Sequence, residues 1–197
     1  MPKPSPVLLF DVMDTLVFDP FHQAIPAYFG LTLEGFLAEK HPTAWVEFEL
    51  GQLAGEEYAA KMFKDGRHVD WTDFSRHVRH AYRWIDGMRE LVGQLAQAQV
   101  EMHALSNYPI LYRLIDEELE LSRWVKLSFV SCETRVRKPD PEAYRAAARA
   151  LGRDPSECLF IDDRKTNCDA AESVGMSSIV FTDADRLRSE LRACGIP

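Results

Sequence analysis

The sequence has no long apolar run, no cysteine pair with metal-like spacing and no excess of basic residues. A helix that spans a bilayer needs roughly 20 consecutive apolar residues, and every apolar run here is far shorter, so we expect no membrane association. The four cysteines, Cys132, Cys158, Cys168 and Cys194, include no CxxC pair. We therefore expect buried or half-buried thiols in a reducing compartment rather than a zinc site or a disulfide framework.

The charge balance is acidic, with a formal net charge of −8 that is spread along the chain. Nucleic acid is therefore an unsuitable partner, because contacts to its phosphates require a basic face. A small anionic substrate remains compatible, because a metal and a few basic groups can make one pocket locally positive. The first residues, MPKPSPVLLFDV, lack a secretory leader pattern. We expect a cytoplasmic location, with a plastid as the alternative if a transit peptide has been removed.

Short apolar segments alternate with helical patterns over much of the chain. Because these segments are continuous rather than alternating, they predict strands that are buried on both faces of a parallel sheet. Helical patterns separate the later strands, which indicates a doubly wound α/β fold with a parallel sheet. The predicted strands are Val7–Phe10, Met102–Leu105, Leu127–Val130, Leu159–Ile161 and Ser178–Phe181, and the helices are Glu90–Ala98, Ile110–Leu119, Pro141–Leu151 and Asn167–Val174.

The stretch between the first and second strands contains no convincing strand and is too long for a simple crossover. We interpret residues 18–86 as a helical cap inserted into an α/β core made of residues 1–17 and 87–197. A chain of 197 residues has room for one ordinary core plus such an insertion. The predicted cap helices are Ala24–Phe29, Leu33–Glu39, Ala44–Leu50, Glu56–Lys64 and Trp71–Trp84.

Polar and charged residues follow four of the predicted strands. Asp11 comes after the first strand, Ser106 and Asn107 after the second, Arg137–Pro141 beyond the third, and Asp162-Asp163 after the fourth. Ligands of open α/β sheets bind at the carboxyl ends of the strands, so we expect these groups to meet in one site.

One chemistry uses all four strand ends. The carboxylate of Asp11 can attack phosphorus and form an aspartyl-phosphate. Because the two anions repel each other, the attack needs a divalent cation, and Asp11 and Asp163 can supply the oxygen ligands that Mg²⁺ prefers. Lys138 and Ser106 can hold the transferring group and balance its charge.

The order aspartate, serine, lysine and acidic pair resembles the haloacid dehalogenase-like hydrolase superfamily. The motif segments are Leu8–Val17, Ala104–Asn107, Arg137–Tyr144 and Phe160–Met176. The resemblance implies a Rossmann-like core with a helical type-one cap, and a metal held by Asp11, the Met13 carbonyl, Asp163 and Asp162. The stretches FDVMDTLV, KHPTAWVEFE, NYPILY and FIDDR further resemble the chloroplast flavin mononucleotide hydrolases of plants and their bacterial relatives.

The first motif departs from the family's Asp-x-Asp-Gly-Thr-Leu. The second aspartate is replaced by Met13 and the glycine by Asp14. In the family's phosphatases that aspartate is the acid–base group, a role worth roughly 10²–10⁴-fold in rate, and methionine cannot perform it. Asp14 can replace it if an irregular backbone turns its side chain inward. Alternatively, the leaving group needs little protonation and water completes the cycle.

Two further readings stay open: a 2-haloacid dehalogenase-type hydrolase, in which a halide leaves without a proton, and a non-catalytic phospho-ligand binding protein. The favoured reading is a magnesium-dependent phosphatase. Its expected partner is a small phosphorylated metabolite, with flavin mononucleotide as the specific substrate, and the expected state is a monomer or weak dimer. The predicted catalytic residues are Asp11, Asp14, Ser106 and Lys138, and the predicted substrate-binding residues are Ser106, Asn107, Lys138 and Trp45.

Overall fold

A computed structural model of the protein describes residues 6–197. The described residues start with a buried strand, continue through five helices, and then alternate helices with four more strands. We number the strands β1 (Val7–Phe10), β2 (Met102–Ser106), β3 (Lys126–Val130), β4 (Cys158–Asp162) and β5 (Ser177–Val180). The helices are α1 (Ala24–Tyr28), α2 (Leu33–Glu39), α3 (Ala44–Glu49), α4 (Gly55–Lys61), α5 (Trp71–Ala81), α6 (Met88–Gln97), α7 (Tyr112–Leu119), α8 (Ser131–Thr134), α9 (Pro141–Ala150), α10 (Lys165–Ser173) and α11 (Ala184–Ala193).

The five strands form one parallel sheet in the order β3-β2-β1-β4-β5, which confirms the doubly wound α/β fold. Successive residues of β1 pack into two separate cores. Leu8 and Phe10 belong to the larger cluster, while Val7 and Leu9 pack on the other face. Strands β1, β2 and β4 are buried along their whole length, which explains why they are continuous apolar runs. The prediction of burial on both faces is wrong for β3 and β5, because these are the edge strands of the sheet and part of each is exposed. Because the strand order reverses beside β1, its carboxyl end lies at the switch point where such sheets bind ligands.

Helices α1 to α5 lie in the segment predicted to form the cap. Main-chain hydrogen bonds join the two ends of this segment: Phe18 N–H donates to the Arg83 carbonyl, and Ile85 N–H donates to the Leu16 carbonyl. Aromatic residues of these helices continue the larger of the two cores. The division into core and cap stays a prediction, although the paired chain ends agree with its boundaries.

Several predicted element ends differ from the structure. The helix predicted over Trp71–Trp84 ends at Ala81, because Tyr82 is extended and Trp84 bridges to Val17. The helix predicted over Glu56–Lys64 ends at Lys61, because Phe63 turns back to bridge Lys40.

The last helix, α11, was not predicted, although Leu187 and Leu191 mark its buried side. Cys194 is exposed, whereas Cys132, Cys158 and Cys168 are buried as expected. Among residues 6–197, no helix has the length and apolar content that a membrane crossing requires.

Candidate active site

One buried ammonium group joins two carboxylates at the carboxyl ends of β1 and β4. Lys138 Nζ donates to Asp11 Oδ1 at 2.7 Å and to Asp162 Oδ2 at 2.6 Å. Lys138 is 2 % exposed, Asp11 7 % and Asp162 0 %. The sheet brings the three together because β1 and β4 are neighbours, while Lys138 precedes α9 and reaches over their ends.

The electrostatics of this cluster are dominated by burial. Burial raises the pKa of Asp11 to about 7, although the Lys138 ammonium acts in the opposite direction. Burial alone would lower the pKa of Lys138, but the charges of Asp11 and Asp162 reverse this, and the pKa of the lysine is raised. The lysine therefore stays charged at neutral pH. The nearby carboxylates of Asp162 and Asp163 add to the rise in the pKa of Asp11.

Asp162 is held by hydrogen bonds to both of its oxygens. Oδ1 accepts the backbone N–H of Arg164 at 2.8 Å, and the Asn167 amide donates to both oxygens at 3.0 and 2.9 Å. Together with the Lys138 bond, these contacts occupy most of the carboxylate. Its geometry favours positioning the lysine over ligating a metal directly, and the predicted role of Asp162 as a metal ligand stays a prediction.

Asn107, which was predicted to bind substrate, has its amide engaged with the backbone of Lys138. Its Nδ2 donates to the Lys138 carbonyl at 2.8 Å, and its Oδ1 accepts the Lys138 N–H at 2.7 Å. This reciprocal pair fixes the loop between α8 and α9 (residues 135–140, the lysine loop) to the end of β2. Asn107 lines the cavity that lies above Asp11, but its hydrogen bonds favour a role in positioning Lys138.

The acidic residues here suit a divalent cation. Oxygens of Asp11, Asp162 and Asp163 lie within 4.8 Å of one another. One lysine leaves two of the three carboxylate charges unbalanced, and burial followed by the Asp162 charge raises the pKa of Asp163. The carboxylates of Asp11 and Asp163, with the carboxylate of Asp162 and one buried ammonium beside them, are a donor set that Mg²⁺ fits.

The backbone beside this cluster also leaves a ligand available. Met13 and Val17 form an isolated β-bridge, but the hydrogen bonds of this bridge come from the residues on either side of Met13. Asp14 N–H donates to the Val17 carbonyl, and Val17 N–H donates to the Val12 carbonyl. Within residues 6–197 the Met13 carbonyl accepts no hydrogen bond, and its predicted role toward the metal stays a prediction.

Asp14 has the irregular backbone that its predicted role requires. Its φ of 55° lies in the left-handed region, which aspartate tolerates better than most residues. Its side chain lines the same cavity as Asp11. However, Asp14 Oδ1 accepts the backbone N–H of Asp19 at 3.0 Å, so part of the carboxylate stabilises the following loop.

Ser106 is placed differently from the expectation of a cavity-lining residue. It is 3 % exposed at the last position of β2 and is not among the side chains that line the cavity. Its Oγ has no hydrogen-bond partner among residues 6–197. A buried hydroxyl without a partner is rare, but this oxygen is enclosed, so the predicted contact of Ser106 with substrate stays a prediction.

The cavity above Asp11 has a volume of about 190 Å³ and is lined by residues from the core and the helical segment. Trp45 lines it, as predicted for a substrate contact. Trp45 Nε1 donates to Glu49 Oε1 at 2.7 Å, and Arg137 Nη2 donates to Glu49 Oε2 at 2.7 Å. Burial raises the pKa of Glu49, which Arg137 counteracts. Glu49 thus connects α3 to the lysine loop.

Several residues that line this cavity were not predicted from the sequence. The most notable is Asp19, a carboxylate that is 9 % exposed. Its signal in the sequence is ambiguous, because Asp-Pro is also typical of a helix start or turn. The others are Phe21, His22, Glu49 and Tyr108, whereas Arg137, Arg164 and Asn167, which also line the cavity, lie in the polar segments that follow the third and fourth predicted strands.

The chain is similar to known proteins over most of its length. The family model of haloacid dehalogenase-like hydrolases matches residues 6–175. A chloroplast flavin mononucleotide hydrolase of Arabidopsis thaliana is 46 % identical over 191 residues, which cover 97 % of this chain and 78 % of the relative. A sesquiterpene phosphatase of Aspergillus oryzae is 31 % identical over 75 % of this chain and 77 % of its own length.

Solved structures share the fold at low sequence identity. A haloacid dehalogenase family enzyme of Bacteroides thetaiotaomicron, in a magnesium complex, superposes with a TM-score of 0.76 at 20 % identity and covers 96 % of this chain and 100 % of its own. An L-2-haloacid dehalogenase of Xanthobacter autotrophicus gives a TM-score of 0.64 at 19 % identity, with 98 % and 84 % coverage. From the family match, the identities to its relatives and the site geometry, we conclude that this chain belongs to the haloacid dehalogenase-like hydrolases.

Proposed function

We propose that the protein is a magnesium-dependent phosphatase that hydrolyses small organic phosphate monoesters through a phosphorylated Asp11. The observation that carries the proposal is the Lys138 ammonium held between Asp11 and Asp162 at the floor of the cavity. Lys138 occupies one oxygen of Asp11, which leaves the other free to attack. The flavin mononucleotide hydrolase and the sesquiterpene phosphatase to which the chain is similar support this reaction over halide release.

The residues of the chain divide the work in this mechanism. Lys138 aligns Asp11 and offers positive charge to the transferring phosphoryl group. The Ser106 hydroxyl would donate a hydrogen bond to an oxygen of the phosphoryl group. Asp163, Asp11 and the Met13 carbonyl would hold Mg²⁺, which when bound supplies the positive charge that lets a carboxylate approach a phosphate.

Flavin mononucleotide is the substrate that we propose. The wall of the cavity is aromatic: the ring centroid of Trp45 lies 5.0 Å from that of Phe21 and 6.2 Å from that of Tyr108. Such a wall offers faces for stacking on a flat ring. The name of the Arabidopsis relative supports the same substrate.

The size of the cavity constrains how such a substrate would enter. Pockets that enclose drug-sized ligands measure roughly 300–1,000 Å³, and this one has about 190 Å³. The phosphate end of flavin mononucleotide would therefore enter first. Its ring would stay at the aromatic mouth, or the helical segment would shift to enclose it.

A panel of phosphate esters tests the proposed function. We expect purified protein with Mg²⁺ to release phosphate from flavin mononucleotide, and chelation to stop the reaction. Flat traces on every ester, together with magnesium-dependent ligand binding, would support the non-catalytic binder instead. Chloride release from a 2-haloacid in the presence of chelator would support the dehalogenase.

Trp45 tests the substrate separately from the reaction. We expect Trp45→Leu to raise KM for flavin mononucleotide roughly 5–10-fold, because stacking of an aromatic ring is worth about 1 kcal/mol, and to leave KM for a small alkyl phosphate unchanged. Trp84→Leu is the control, since Trp84 packs on Trp124 away from the cavity. Equal KM changes for both esters would contradict a flavin-stacking role.

We also propose a reducing compartment, either the cytoplasm or a plastid, and a monomer or weak dimer. The four cysteines are free, which suits such a compartment. Leu37 and Val180 are the large hydrophobic residues exposed within residues 6–197, and they do not build a broad apolar face. Light scattering across a concentration series measures the oligomeric state.

A further inference from the structure

Replacement of the motif's second aspartate by Met13 leaves the cavity without an acid–base group at the usual position. Four carboxylates other than the Lys138-bound pair are near enough to matter. Asp163 belongs to the candidate metal site, and Glu49 is paired with Arg137 and Trp45. Asp14 and Asp19 remain, and both line the cavity with Asp11.

Asp19 is held in one orientation by its surroundings. It caps the short helix Pro20–His22, where its Oδ1 accepts the Phe21 N–H at 2.9 Å. Its own N–H donates to Asp14 Oδ1 at 3.0 Å. These bonds use one carboxylate oxygen and leave Oδ2, which lies 4.0 Å from His22 Nε2. Asp14, by contrast, is less buried and supports the Asp19 backbone.

The environment of Asp19 suits proton exchange near neutral pH. Burial raises the pKa of Asp19 to about 6, while the Phe21 N–H lowers it. An acid–base group works best when its pKa lies near the working pH, because it can then both give and take a proton. The charged and titratable groups that act on Asp19 or feel its charge are Asp14, His22, Arg164, Glu49, Tyr82 and Tyr108.

We propose that Asp19, rather than Asp14, is the acid–base residue that replaces the aspartate lost at Met13, an inference that rests on the proposed phosphatase function. In the first step an Asp11 oxygen bonds to phosphorus and the ester P–O bond breaks. The departing oxygen takes the proton from Asp19 Oδ2. In the second step water bonds to phosphorus and gives a proton to Asp19 Oδ2. The Asp11–phosphorus bond then breaks, releasing phosphate and restoring both carboxyl groups.

Asp19→Asn tests this role with little disturbance, because the asparagine oxygen can still accept the Phe21 N–H. With Mg²⁺ present, we expect kcat for an alkyl phosphate, whose leaving oxygen needs a proton, to fall by roughly 10²–10⁴-fold. With p-nitrophenyl phosphate, whose leaving group departs without a proton, the first step in Asp19→Asn should keep nearly its wild-type rate. Because water activation is lost, nitrophenol should appear in a rapid burst followed by slow turnover.

The pH profile gives a second readout. In the wild-type protein, kcat for the alkyl ester should fall as Asp19 loses its proton, and this limb should be absent from Asp19→Asn. If Asp19→Asn does not fold, Asp19→Ser provides the same test, because a serine hydroxyl can also cap the Phe21 N–H.

Matched variants separate the outcomes. Equal losses on both esters without a burst, or wild-type rates on both, would overturn the role of Asp19. A burst and a leaving-group-dependent loss in Asp14→Asn, but not in Asp19→Asn, would assign the role to Asp14. If Asp11→Asn is inactive while Asp19→Asn behaves as wild type, this inference alone fails. If Asp11→Asn is active, the proposed function fails with it.

Discussion

At the scale of single residues, we expect Lys138 to contribute both to the stability of the fold and to the phosphatase reaction. Its ammonium is the buried partner of Asp11 and Asp162. Removing one member of a buried ion cluster leaves the others uncompensated, which costs about 3–5 kcal/mol. We therefore expect Lys138→Met to abolish phosphatase activity and to lower the free energy of unfolding, measured by urea denaturation without added metal, by about that amount.

Lys165→Met is the control for that measurement. Lys165 pairs with Asp169 on the surface, and its side chain is 75 % exposed. Exposed ion pairs contribute little, so the free energy of unfolding should change by less than about 0.5 kcal/mol. Equal losses in the two variants would show that the Lys138 cluster is no more stabilising than a surface pair.

Residues of the site could be predicted from the sequence where they lie at the end of a strand. Asp11, Asp162 and Asp163 follow strands whose apolar runs stand out in the sequence, so the sheet brings them together. The cavity position of Asp19 was not predictable in this way. It depends on the path of the chain after Val17 and on the packing of distant helices above it, which no local pattern encodes.

At the scale of elements, the close packing of α4 against α5 gives a prediction about the helical segment. A Cβ added to Gly55, at the start of α4, would overlap the indole ring of Trp71. We expect Gly55→Ala to lower the free energy of unfolding by about 1–3 kcal/mol, the usual cost of overpacking.

Gly35→Ala provides the comparison for Gly55→Ala. A Cβ there would meet Thr32 Oγ1 at 3.4 Å, which is an ordinary contact. Within helix α2 the change should stabilise the protein by about 0.5–1 kcal/mol. Thermal and urea unfolding of both variants measure the difference, and a Gly55→Ala protein as stable as Gly35→Ala would contradict the packing described.

Strands were easier to predict than the ends of helices. The inner strands β1, β2 and β4 are buried throughout and therefore require continuous apolar runs. All five predicted strands, including the edge strands β3 and β5, coincide with observed ones to within a residue or two. Helix ends depend on tertiary contacts, such as the bridge of Trp84 to Val17 that follows α5. Helix α11 was not predicted because half of its residues are charged and Leu187 and Leu191 are its two large apolar residues; its buried side packs against α6.

At the scale of the whole molecule, the buried acids predict how stability depends on pH. Burial raises the pKa of Asp11 to about 7 and that of Asp19 to about 6, both from 3.8. An acid whose pKa is higher in the folded protein binds protons more tightly when folded. Stability of the metal-free protein should therefore fall as pH rises from about 4 to about 7.

Denaturant unfolding of chelated protein across this pH range measures the effect. Surface carboxyls with lowered pKa, such as Asp65 and Asp183, act in the opposite direction, but only at lower pH. Asp11→Asn should flatten part of the slope, and saturating Mg²⁺ should oppose it by binding the ionised carboxylates. A stability that rises steadily from about pH 4 to about pH 7 would contradict the raised pKa values that burial gives Asp11 and Asp19.

The covalent role of Asp11 is the central claim, and trapping the intermediate tests it most directly. Protein mixed with Mg²⁺ and a phosphate ester is quenched in acid within one turnover, digested, and its peptides are examined by mass spectrometry. We predict one phosphoryl group on the side chain of Asp11 and none in Asp11→Asn, which should also lose turnover while keeping its fold. Turnover by Asp11→Asn at the wild-type rate, or a phosphoryl group on a different residue, would contradict the account.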